Sequence, residues 1–218
     1  MNASLLPQYS RNEEIANSIT HGIGALFSLA GLAVLAVFSG MLGTVWHIVS
    51  CTVFGSALTL MYTVSTIYHS VRSPRKKEIC RILDHAAIFV LIAGTYTPFT
   101  LVNLRGGWGW TIFGLVWGLA VLGIVISAVS RCRCTTLSLI LYVGMGWVIV
   151  AAIRPLMHVL HRHGLLLLLA GGLCYTGGLA LYRWKSLKYH HALWHVTVLA
   201  GSGFHFFAVL FYVIPLAD

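Results

Sequence analysis

The sequence holds 11 histidines and only five carboxylates, and several of them fall at spacings suited to metal chemistry. His191-Ala-Leu-Trp-His195 sets two imidazoles four residues apart, on one helix face and about 6 Å apart along the axis. Two ring nitrogens so placed can reach one ion. A third imidazole, His69, would complete a three-ligand zinc site with the fourth position left for water. Asp84 could hold that water or orient a ligand from behind, and Ser65, one turn before His69, would point into the same cavity. A lone H-x-x-x-H is common, so the signal lies in the joint pattern.

The other polar residues have plainer readings. Glu14, Asn17 and His21 stand at i, i+3 and i+7, so they share a helix face, where they would brace the bundle or back the site. Asp84 has an alternative in pairing with Arg81 or a neighbouring lysine, and His190 in sitting at headgroup level. His205 lies ten residues past His195, roughly 15 Å along a helix. That is too far to share the ion, and a buried hydrogen-bonding role is expected. His158, His161 and His163, with Arg162 among them and no acid nearby, read as a solvated loop. Cys51 and Cys174 are packing residues within apolar runs. Cys132-Arg133-Cys134 reads as loop thiols facing a reducing compartment.

The elements that must carry these groups follow from composition. Hydrophobic residues make up 58% of the 218 residues and charged ones 9%, against roughly 25% charged in soluble domains. So little charge cannot cover a water-facing surface, and lipid is the solvent implied. The net charge of +9 is carried in short loops between apolar runs, which suits a membrane surface and gives no reason to expect a nucleic-acid partner. Seven apolar stretches are long enough to cross roughly 30 Å of hydrocarbon: 20–39, 45–69, 83–102, 109–129, 136–156, 165–184 and 192–214. The fold class expected is an all-α integral membrane protein, a seven-transmembrane-helix bundle. No cleavable signal peptide is visible. Residues 1–19 form an N-terminal segment, in which Ser10-Arg11-Asn12-Glu13 has the form of a capping box opening a short interfacial helix. Residues 20–218 form the seven-helix domain. Gly114 and Gly118 have the small-x-x-x-small spacing that permits close helix packing.

Basic residues set the orientation. Eleven of the 14 lysines and arginines fall on one side, in the N-terminus and the second, fourth and sixth loops, and only Arg105, Arg154 and Arg162 on the other. The positive-inside rule then puts the N-terminus in the cytoplasm and the C-terminus outside. Glu14, Asn17, His21, Ser65, His69, Asp84, His85, His191 and His195 all fall at the cytoplasmic end of their spans. Ionisable groups at membrane depth are costly without a partner or a purpose, so this clustering is the strongest functional signal in the chain.

Glu14-x-x-Asn17-x-x-x-His21, Ser65-x-x-x-His69, Leu83-Asp84-His85-Ala86, Gly94-Thr95-Tyr96-Thr97-Pro98 and His191-x-x-x-His195 with His205 together resemble the hemolysin III family, the bacterial branch of the progestin and adipoQ receptor family. The likeness spans nearly the whole chain. It implies a seven-helix zinc protein of the cell's inner or plasma membrane with a cytoplasmic N-terminus. Carried over residue by residue, it makes His69, His191 and His195 zinc ligands, with Asp84 holding the water bound to the zinc. It also implies a role in membrane lipid homeostasis and points to alkaline ceramidases as more distant kin. Three functions follow: a zinc-dependent hydrolase of a lipid amide or ester, with membrane lipids as partners and Asp84 and Ser65 as catalytic groups; a non-catalytic sensor with structural zinc; and a cytolysin. The last ranks lowest, since no span is amphipathic enough to line an aqueous pore.

Overall fold

The computed structural model describes residues 9–132 and 135–215. Ser10 opens the first helix as its spacing predicts. Its hydroxyl accepts from the Glu13 amide at 3.3 Å, and the Glu13 carboxylate accepts from the Ser10 amide at 2.9 Å. From this cap α1 (Arg11–Leu42) runs without a break through the first span. Its buried face carries Asn17, His21, Ser28 and Ser39, while Phe27 is 72% exposed. Polar groups inside and large apolar groups outside are the reverse of a water-soluble helix, and the arrangement a lipid surround demands.

Seven helical stretches are long and apolar enough to cross a membrane, and no strand occurs among the described residues. The chain is a multi-pass integral membrane protein. After α1 come α2 (Val45–Ser70), α3 (Pro74–Pro98), α4 (Gly107–Val129), α5 (Thr135–Trp147), α6 (Ile153–Val159), α7 (Arg162–Arg183) and α8 (His190–Tyr212). Successive helices pack side by side, α1 along α2, α2 along α3 and α7 along α8, and α1 also meets α8. The N-terminal ends of α1, α3 and α8 and the C-terminal end of α2 therefore share one end of the bundle.

Three details differ from the sequence reading. The third span begins at Pro74 rather than near 83, so Arg75, Lys76, Lys77 and Arg81 ride on the helix instead of a loop. Proline at the first helical position lacks an N–H that would be unpaired there anyway, and Ser73-Pro74 is thus a start signal as well as a turn. The fifth span is broken: α5 stops at Trp147, a tighter 3-10 turn covers Val148–Ala152, and α6 finishes the crossing. Pro155 explains the break, because it removes one helical hydrogen bond and its ring crowds the carbonyl four residues earlier. Third, Gly114 and Gly118 pack against nothing: a Cβ built at either meets no atom within 4 Å. The close approaches lie elsewhere, at Gly94 against Ala57 and at Gly123 against the Phe89 ring, because those glycines face the bundle and the other two face outward.

In hydrocarbon the peptide groups freed by the broken span need partners. Tyr96 supplies them. Its hydroxyl donates to the Gly146 carbonyl at 2.8 Å and accepts from the Ile149 amide at 3.0 Å. Beside it the third span also departs from regular geometry after Pro98, through a π-helical turn at Phe99–Asn103.

Candidate metal centre

Three helices meet where the sequence concentrates its polar residues. His69 lies in the last turn of α2, and His191 and His195 in the first two turns of α8. One ring nitrogen from each lies within 4.8 Å of the other two, and this is the only such group of three among the described residues. Tetrahedral zinc with bonds near 2.0–2.1 Å holds its nitrogens roughly 3.3 Å apart, so small side-chain rotations would close this set around one ion. The cluster could hold a metal ion.

The hydrogen bonds behind the rings favour the same geometry. His69 Nδ1 donates to the Glu14 carboxylate at 2.7 Å, and its Nε2 is buried without a partner. His195 Nδ1 donates to the Asn17 carbonyl at 3.1 Å and lies 3.0 Å from the Thr20 hydroxyl. Each ring is therefore held in one tautomer, with Nε2 free to accept a cation. A carboxylate or carbonyl behind a histidine is the usual support of a metal ligand. His191 adds a buried Nδ1 with no partner. Left unpartnered, such nitrogens are costly; a bound cation would satisfy them.

The other predicted residues surround this cluster. Glu14, Asn17 and His21 share the predicted face of α1 and all reach it. His21 stacks flat on His195, ring centres 3.4 Å apart, with both its nitrogens buried and unpartnered. Ser65 and Asp84 line an adjoining cavity of about 500 Å³. Asp84 forms no hydrogen bond or ion pair with the described residues, and the Arg81 guanidinium donates instead to the Cys132 carbonyl at 3.0 Å. His205 lines the same cavity farther along α8, where its Nδ1 donates to the Gly201 carbonyl at 2.8 Å. From the His191 end the cavity runs on between apolar side chains to Leu156, Met157 and Leu165, at the far end of the bundle.

Several participants were not foreseen. The Tyr9 ring packs 5.1 Å from His191 and 6.2 Å from His69, over the end of the cavity. Burial pushes its phenol well above the ordinary range, so it is neutral. His190 is buried against the same ring. Lys77 reaches Glu14 at 2.7 Å. A visible signal existed only for Lys77, as a basic residue just past a helix start. In the loop before α7, His161 caps that helix, accepting from the His163 amide, and stacks on Tyr212. Cys132 is buried as a free thiol, while Cys134 lies outside the described residues.

A family model described as "Haemolysin-III related" matches residues 9–206. The chain is 47% identical over 206 residues to "Hemolysin-3" of Bacillus cereus, covering 94% of each protein. It is 46% identical over 208 residues to "Hemolysin-3 homolog" of Bacillus subtilis (strain 168), covering 95% of this chain and 98% of the relative. More distantly, it is 24% identical over 209 residues to the human "Monocyte to macrophage differentiation factor", covering 92% and 84% of the two.

Proposed function

This chain belongs to the haemolysin III family, and from that premise we propose that it is a zinc protein of the cell's inner or plasma membrane, acting in lipid homeostasis by hydrolysing a lipid amide or ester. One observation carries the reading: three imidazoles with converging ring nitrogens, two of them (His69 and His191) with a buried nitrogen that has no partner, stand at the end of a largely apolar cavity large enough for a chain-like ligand. His69, His191 and His195 would hold the ion. Bound zinc would polarise an acyl carbonyl and lower the pKa of a water from 15.7 towards about 7.

The chain's own groups supply the rest. Asp84, on the cavity wall without a partner among the described residues, takes up a proton from the attacking water and returns it to the leaving group. Ser65, buried on the same wall, donates its hydroxyl to the developing oxyanion. The apolar lining holds the acyl chain, and the thinly packed wall formed by α5, α6 and α7 gives it lateral access from the bilayer. Tyr9 shields the reacting end from bulk water. With the N-terminus in the cytoplasm, as the basic residues favour, the site opens towards the inner leaflet; a reporter fused at each terminus checks this.

A second reading has its own support. The cluster joins α2 to α8, and its supporting bonds come from α1, so the same zinc would staple three helices in a non-catalytic sensor. Purified protein incubated with ceramides and related lipids separates the two. Turnover by wild type, lost in Asp84→Asn with zinc content retained, supports hydrolysis. Stoichiometric zinc with no turnover of any lipid amide or ester, and a melting temperature that falls on metal removal, leaves the staple.

A further inference from the structure

Lys77 stands behind the cluster, on α3, which carries none of its three histidines. Its ammonium contacts Glu14 Oε1 at 2.7 Å and donates to the carbonyls of Tyr68 and Val71, each at 3.3 Å. An ammonium has three N–H donors, and here all three are engaged. The two carbonyls close the C-terminal end of α2, where the helix dipole favours a cation, and the ammonium also lies 5.0 Å from the centre of the Tyr68 ring. The side chain is only 12% exposed. A lysine solvated at a membrane surface would show none of this.

The carboxylate it holds is the one that holds His69. Glu14 offers Oε1 to Lys77 and Oε2 to His69 Nδ1, both at 2.7 Å. Resting on the metal-binding reading above, we infer that Lys77 is a positioning residue for the metal centre, clamping the Glu14 carboxylate so that His69 keeps its proton on Nδ1 and presents Nε2 to the ion. Three helices contribute one group each: Lys77 from the first turn of α3, Glu14 from the first turn of α1, His69 from the last turn of α2. Freed from the ammonium, Glu14 would turn towards solvent, and His69 would lose both its tautomer and its orientation.

Bare electrostatics makes the opposite prediction. A positive lysine near a cation site repels the cation, so its removal should tighten binding. Positioning requires that removal weaken it, and the sign alone decides between the two.

The test is a zinc titration against a competing chelator on the full-length protein in detergent, with thermal midpoints recorded alongside. Lys77→Met should weaken zinc binding by about 10–100-fold, the range for loss of a partner behind a metal-bound histidine. Lys77→Arg, which keeps the charge but not the three convergent donors, should show a smaller loss. In a Glu14→Gln background either change should add almost nothing, because Lys77 acts through Glu14. Should Lys77→Met not fold, the Lys77→Arg and Glu14→Gln pair carries the same test. Unchanged or tighter binding overturns the inference, as does an equal loss in both backgrounds, or a lowered midpoint at unaltered affinity. His191→Ala is the control for the reading beneath: if wild type binds no more zinc than this variant, metal binding falls and the clamp with it. If only Lys77→Met matches wild type, the clamp alone falls.

Discussion

The two ends of α8 present histidines to one cavity in opposite ways. At the His191 end, nitrogens of His69, His191 and His21 are buried without partners. Around His205 the polar groups are matched. The Tyr62 hydroxyl donates to Ser202 Oγ at 2.6 Å, the Tyr175 hydroxyl lies 2.8 Å from the same oxygen, and His205 stacks on Tyr175 with its Nδ1 on the Gly201 carbonyl. Buried polar groups that satisfy one another rigidify a core, whereas those left open await a ligand. Histidine in a membrane helix is thus not itself the mark of a site. The convergence of ring nitrogens from two helices on one point is.

The comparison breaks most simply through the ligands. His191→Ala should reduce bound zinc to background, while His205→Phe should leave it at the wild-type level; metal analysis of the two purified proteins checks this, and equal loss from both would erase the distinction. The converse change is in stability. Ser202→Ala removes the partner of two buried hydroxyls and should destabilise by about 1–3 kcal/mol, read as a lowered thermal midpoint at unchanged zinc content. A smaller effect is expected at the mouth. Tyr9→Ala should quicken removal of zinc by chelator severalfold while altering equilibrium affinity much less, since the ring covers the cluster without reaching it as a ligand. Smallest of all, Gly114→Ala should change stability by less than about 0.5 kcal/mol, whereas Gly123→Ala, pressed against Phe89, should be plainly destabilising.

The seven spans were legible because hydropathy over about 20 residues is a strong signal, and the cap at Ser10 because its bonds are local. The clustering of His69, Glu14, Asn17, His21 and His191 at one end could be read by counting depth along each span. Packing was less legible. Gly114 and Gly118 have a spacing that permits close approach, but spacing does not say which face meets a neighbour, and theirs meets none. The break near Val148 had its cause in view at Pro155, masked by an apolar run that remains hydrophobic throughout. Tyr9 and Thr20 gave no signal, because their parts depend on which helices become neighbours. The Gly94–Pro98 motif was visible only as a resemblance; its physical content is a close contact at Gly94 and a hydroxyl at Tyr96 that serves another helix.

That hydroxyl has a consequence for the bilayer-facing wall. A kinked crossing in oil must carry its own stand-in for water, and here one phenol does so for both a carbonyl and an amide. The bend is consequently anchored from a neighbouring segment, and two crossings that wall the same hollow are tied together at a single hydroxyl.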